Sequence, residues 1–129
     1  MSDKWLDGEL ARARQTVPEK VHGQKHDAGK LCWSLLPFDA VREVVRVLGK
    51  GAEKYEAGNW VHVLGARDRY FDAALRHLTA WYEGERSDPE WNLHHLAHAT
   101  CCTLFLLALS LRGKIDGPRD EEEQIPPRP

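Results

Sequence analysis

The stretch from Leu96 to Leu111 contains no Asp, Glu, Lys or Arg, and its one ionisable ring is His98. At about 16 residues it falls short of the roughly 20 that a bilayer-spanning helix needs. A charge-free segment of this kind is expected to be a helix buried on more than one side. At the helical period of about 100° per residue, Leu93, Leu96, Ala97, Thr100, Leu104, Leu107 and Leu111 share one face, expected to be core. His95, His98, Cys102, Phe105 and Leu109 share roughly the opposite face. In a chain of 129 residues that second apolar face is expected to meet another subunit, giving a homodimer or homotetramer.

Two further helices precede it. Pro37-Phe38-Asp39 reads as a helix start with Asp39 as cap. Val41, Val44, Val45, Leu48, Ala52 and Tyr55 then recur with helical spacing, and Gly58-Asn59 ends the run. A second helix is predicted from about Arg69 to Glu83, with Phe71, Ala74, Leu75, Leu78 and Tyr82 as its core stripe. Ser87-Asp88-Pro89 reads as the start of the third, running from about Pro89 to Leu111. Residues 30–36 are the nearest approach to a strand. The predicted fold class is therefore all-α, a bundle of three principal helices with short extra helices, completed by oligomerisation. Residues 1–23 form a polar segment in which Trp5, Leu6 and Leu10 suggest a short amphipathic helix. Residues 24–112 form the helical domain, and 113–129, rich in proline and acid, are expected to be a flexible tail.

Charge excludes some functions. Eighteen Lys and Arg face 20 Asp and Glu, a net charge of −2, which argues against a nucleic-acid binder. The three cysteines, Cys32, Cys101 and Cys102, form neither a CxxC zinc motif nor an even disulfide set. With no apolar N-terminal run, a reduced cytoplasmic setting is expected, with no membrane association. Seven His and five Trp are many for this length and point to a built site.

His95 and His98, three apart on a helix, can converge on one ligand; equally, they can be hydrogen-bonding histidines of a core. His77 meets them if the second and third helices pack antiparallel, as their short connection favours. Glu85, Asp88 and Glu90 gather three acids in that connection, suiting a hard cation or simply favouring a helix start. Glu43 lies off the first helix's apolar stripe. Lys25-His-Asp-Ala-Gly-Lys30 is a basic, glycine-containing loop able to hold phosphate. It holds an HD dipeptide and misses the P-loop spacing.

In order along the chain stand KHDAGK, SLLPFDAVREVVRVL, GAEKYEAGNW, ALRHLTAWYEGERSDPE and HLAHA before a Cys-Cys run. This series resembles the bacteriophage dATP/dGTP diphosphohydrolase family in its N-terminal-domain form, related to MazG-like all-α nucleotide pyrophosphohydrolases. The resemblance implies hydrolysis of dGTP or dATP to the monophosphate and pyrophosphate, with Mg²⁺ or Mn²⁺, in phage nucleotide-pool remodelling within the host cytoplasm. It implies metal ligands among His77, Glu85, Asp88, His95 and His98; Glu43 of the first helix is expected to join them, and Glu43 or Glu85 is expected to be the base that activates water. Lys30, Lys54 and Arg76 would offset phosphate charge, Tyr55 or Trp60 would stack on the purine, and Asn59 would read its edge. MazG-like enzymes carry ExxE on the first helix. Here Glu43 and Glu53 lack that spacing, so the implied metal shell uses histidine in place of carboxylate. Two other readings are an HD-like phosphohydrolase that releases triphosphate and a non-enzymatic oligomeric helical module.

Overall fold

The computed structural model describes residues 22–118. The expected N-terminal amphipathic helix at Trp5, Leu6 and Leu10, and residues 119–129 of the tail, lie outside the described residues. The chain divides into two units, Met1–Trp33 and Ser34–Pro129. The described part of the first is irregular. Its clearest feature is a turn in which Lys30 N–H donates to the Asp27 carbonyl at 3.1 Å.

The second unit is helical: α1 spans Phe38–Tyr55, α2 Ala66–Tyr82 and α3 His95–Leu111, with a 3₁₀ turn at Asn59–His62. Among the described residues there is no strand, only an isolated antiparallel bridge between Ser87 and His94. The all-α expectation holds. Another 3₁₀ turn, Trp33–Leu35, replaces the extended piece expected at 30–36. No helix among the described residues is long and apolar enough to cross a membrane.

The central element is α3, which packs most extensively on α2 and less so on α1. Tyr70 meets Phe105 while His77 meets His98. The reversed order shows that α2 and α3 run antiparallel. On the other flank, Val47 of α1 packs with Ala97 and Cys101, bordered by Val44, Leu48, Leu93 and Phe105.

Three boundaries and three faces differ from the expectation. Asp39 lies inside the first turn of α1, its Oδ1 accepting from Ala40 N–H at 2.8 Å, and Pro37 takes the capping position. The second helix starts at Ala66, a few residues earlier than predicted. The third starts at His95 because residues 86–95 form a hairpin-like loop. In it Asp88 N–H donates to the Leu93 carbonyl, and His95 N–H to the Arg86 carbonyl, both at 2.9 Å. His94, expected to be solvated, caps α3: its Nδ1 accepts from Leu96 N–H at 3.0 Å.

The buried side of α1 centres on Val47, while Val45 and Tyr55 of the predicted stripe are exposed. On α2 the interior is made by Ala66 and Ala74, with Tyr70, Ala73 and His77 half-buried. Phe71, Leu75 and Leu78 of the predicted stripe face outward, and Tyr82 is 84% exposed. On α3 the faces are largely reversed: His95, His98, Cys102 and Leu109 are buried, and Leu104, Leu107 and Leu111 are exposed, while Ala97 of the expected core face stays in the core. The reason is that histidines and aromatic rings fill the space between the helices. The most apolar stripes are thereby left to the outside of the single chain.

The reversal has a direct test. Leu109 is 2% exposed and Leu107 55%. Leu109→Ala is expected to destabilise the fold by about 2–4 kcal/mol, the usual cost of emptying a core leucine site. Leu107→Ala should cost under about 0.5 kcal/mol. Urea unfolding at high dilution, where association does not contribute, measures both.

Candidate functional site

The site is built on the connection between α2 and α3. Asp88 is only 8% exposed and its carboxylate organises the loop: Oδ2 accepts from Trp91 N–H at 2.6 Å, and Oδ1 from Leu93 N–H at 2.9 Å. The same Oδ1 accepts from His98 Nε2 at 2.8 Å. Burial pushes this carboxyl upward, but the Trp91 N–H, the His98 ring and the Leu93 N–H together outweigh it and hold it down at about 2. Asp88 is therefore an anion that ties the loop to α3.

A second pair lies beside it. His95 Nε2 is 2.6 Å from Glu85 Oε1, and His95 Nδ1 is 2.9 Å from His77 Nδ1. A carboxylate only accepts, so His95 Nε2–H donates to Glu85. In a neutral imidazole the other nitrogen then accepts, which makes His77 Nδ1–H the donor. Burial, then the neighbouring His98 and His95, lower His77 to about 4, so it is neutral at physiological pH. His77 and His98 stack at 4.4 Å between centroids, and Trp91 stacks on His98 at 5.6 Å. His77, Glu85, Asp88, His95 and His98 are thus brought together, as expected. Glu43 is not: it pairs with Arg46 one turn along α1 and lines neither this cluster nor the cavity beside it.

The two carboxylates suit Mg²⁺ or Mn²⁺ and the three imidazoles suit softer transition-metal ions, but the arrangement is a chain of hydrogen-bonded pairs. Among the described residues no three His, Cys, Asp or Glu side chains form a group able to hold a metal ion. A resident ion does not fit these side chains without displacing the His95–Glu85 and His98–Asp88 pairs.

His98 and Trp91 also form part of the wall of a cavity of about 840 Å³, a size typical of small-ligand pockets. Its other walls include Val47 and Gly51 of α1, the Glu56–Asn59 turn, Trp60, Tyr70, Arg76 and Phe105. Trp60 stacks on Phe105 at 4.6 Å, with Tyr70 edge-on to Phe105 at 5.2 Å. Burial pushes the Tyr70 hydroxyl up to about 12, so it remains a donor. Cys102 lines the cavity next to buried Cys101. Burial, and then Cys102, push the Cys101 thiol up to about 12, and burial raises Cys102. Neither is a thiolate nucleophile.

Of the expected substrate contacts, Tyr55, Asn59, Trp60 and Arg76 all line the cavity. Lys54 stands nearby, 3.0 Å from Glu90 Oε1 and 5.5 Å from the centre of the Trp91 ring. The hydrogen bonds to Glu90 and then Tyr55 raise its pKa. Lys30 belongs to the first unit and is exposed there. Sequence reasoning missed Trp91, Tyr70, Phe105 and Glu56. Phe105 was detectable, since it falls two helical turns after His98 on the same face; Trp91 was not, because it acquires its place from the Asp88 loop.

A family model described as "dATP/dGTP diphosphohydrolase, N-terminal" matches residues 20–119, and the chain belongs to that family. A protein of Salmonella phage PMBT28 named "dATP/dGTP diphosphohydrolase" is 37% identical over 87 residues, covering 67% of this chain and 29% of the relative. The chain thus spans less than a third of that relative's length. No solved structure gives a significant match.

The buried charges set a pH dependence. A His normally titrates near 6.5 and His77 near 4 in the fold. The unfolded chain therefore takes up the proton first, and stability falls as pH drops from about 6.5 towards 4. Asp88, at about 2 against 3.8, adds a second loss below pH 4 with the same sign. Urea midpoints measured from pH 8 to pH 3 should show both losses, with His77→Leu removing the upper one and Asp88→Asn the lower.

Proposed function

We propose that the chain hydrolyses deoxypurine nucleoside triphosphates, dGTP or dATP, to the monophosphate and pyrophosphate. One observation carries this reading: a nucleotide-sized cavity has stacked aromatic rings at one place and, through His98, opens onto a histidine–carboxylate cluster at another. Phe105 and His98 are two helical turns apart on α3, roughly 10 Å along its axis, which separates a base site from a reaction site. The names of the family and of the phage relative support the substrate class.

In this reading Arg76 and Lys54 attract the triphosphate, and a near-neutral chain needs such local cations for a polyanion. Asp88 holds His98 in one orientation towards the phosphates. Glu85, half-exposed and paired with His95, takes the proton of the attacking water. Mg²⁺ or Mn²⁺ enters as the counter-ion carried by the substrate and supplies charge neutralisation on the phosphates. The exposed stripes Phe71/Leu75/Leu78 and Leu104/Leu107/Leu111 support a homodimer or homotetramer, because contiguous apolar surface seldom stays open on a monomer.

Incubation with each deoxynucleoside triphosphate and Mg²⁺ or Mn²⁺ in ¹⁸O-water is expected to yield monophosphate carrying the label, plus pyrophosphate. Nucleoside plus triphosphate would establish the HD-like reaction instead, and no turnover with any nucleotide would favour the non-enzymatic module. Glu85→Gln should lower kcat by about 10²–10⁴-fold, as removal of a general base does, while Glu43→Gln, an exposed ion-pair position, should cost less than about threefold. Light scattering should give a multiple of 14.7 kDa, reduced to the monomer by Leu107→Glu combined with Leu75→Glu.

A further inference from the structure

We propose that Glu56 reads the purine and makes the cavity prefer guanine to adenine. The inference rests on the triphosphate reading above and goes further by naming the base and the residue that selects it.

Glu56 follows the last residue of α1 with φ 120° and ψ 146°, a backbone region that residues other than glycine scarcely occupy. The conformation is held from both sides. Glu56 N–H donates to the Ala52 carbonyl at 3.0 Å, closing α1, and Asn59 N–H donates to the Glu56 carbonyl at 3.3 Å. The resulting tight turn forms a wall of the cavity and leads directly into Trp60, which stacks on Phe105. One turn thus brings Glu56, Asn59 and the start of an aromatic platform to the cavity wall. The Glu56 side chain is exposed. The acids of the neighbouring cluster are committed otherwise, Asp88 to the loop and His98, Glu85 to His95.

The chemistry of the two purines decides what such a carboxylate selects. An ionised carboxylate only accepts hydrogen bonds. Guanine presents two neighbouring donors on one edge, N1–H and the N2 amino group, which two carboxylate oxygens can take together as charge-assisted bonds. Adenine presents an acceptor, N1, at the corresponding place, so its lone pair would face the carboxylate oxygens. A site built on such a pairing discriminates strongly against the base that cannot complete it. A glycine would satisfy the backbone at position 56 without strain but would bring no acceptor. Holding a glutamate there is what a base-reading role requires.

The test uses the full chain as wild type, E56Q and E56G, with circular dichroism to verify folding. Values of kcat/KM are measured for dGTP, dITP and dATP, and dissociation constants for the α,β-methylene analogues of dGTP and dATP. Wild type is expected to favour dGTP over dATP by at least about tenfold, with dITP, which keeps N1–H but lacks the amino group, between them. E56Q should shrink that preference by about tenfold, chiefly through loss on dGTP. E56G should lose the same preference while melting at a higher temperature, because the strained backbone is relieved. An unchanged dGTP:dATP ratio in E56Q, whether both rates persist or both fall in parallel, overturns the proposal. The analogue binding separates this inference from hydrolysis. A guanine preference in binding that E56Q abolishes supports it even without turnover. Equal binding of the two analogues overturns it even where hydrolysis proceeds, and no binding of either overturns both readings.

Discussion

The site depends on the buried pair between Asp88 and His98. A carboxylate this deeply enclosed is costly unless its oxygens are engaged, and here Asp88 accepts from two backbone N–H groups and an imidazole. Those bonds give the α2–α3 connection its shape. They place Trp91 against His98 and turn His98 towards both His77 and the cavity. Without the carboxylate, the Trp91 backbone would lose the bond that fixes it in the loop, and the buried His98 Nε2–H would lose its acceptor. The polar cluster thus does structural work as well as offering chemistry, as fully satisfied buried networks commonly do.

The same cluster explains the arrangement of apolar surface. Imidazoles and the aromatic walls of the cavity occupy the space between α2 and α3, so the direct apolar packing is small: Val47, Ala97 and Cys101 with a few half-buried neighbours. Leu75 and Leu78 of α2 and Leu104, Leu107 and Leu111 of α3 are displaced outward, while Leu109 stays inside. A helix pair that devotes its interior to a polar site must seek the rest of its hydrophobic stabilisation elsewhere, and a second copy of the chain is the partner that the proposed assembly supplies.

Much of the site was legible because it follows helical spacing. His95 and His98 are three apart, His77 lies on the antiparallel neighbour, and Glu85 and Asp88 stand in the connection between them. The resemblance to the diphosphohydrolase family then singled out Tyr55, Asn59, Trp60 and Arg76, all of which line the cavity. Glu43 was singled out for its distance from the apolar stripe, and in the fold it forms an i, i+3 pair with Arg46 away from the cluster. Glu56 was passed over because nothing in the letters GAEKYEAGNW distinguishes a glutamate in a glycine-like conformation from one in a helix.

By itself the sequence determined the helices, their approximate ends and the residue types of the cluster, since periodicity, glycine and proline act over a few residues. Tertiary structure decided which face of each helix is inside. Along α3 both faces are apolar enough to be buried, and local pattern carries no information to choose between them. Packing settles the choice: hydrogen-bonding imidazoles must find partners when buried, and Asp88, Glu85 and His77 are available on one side only.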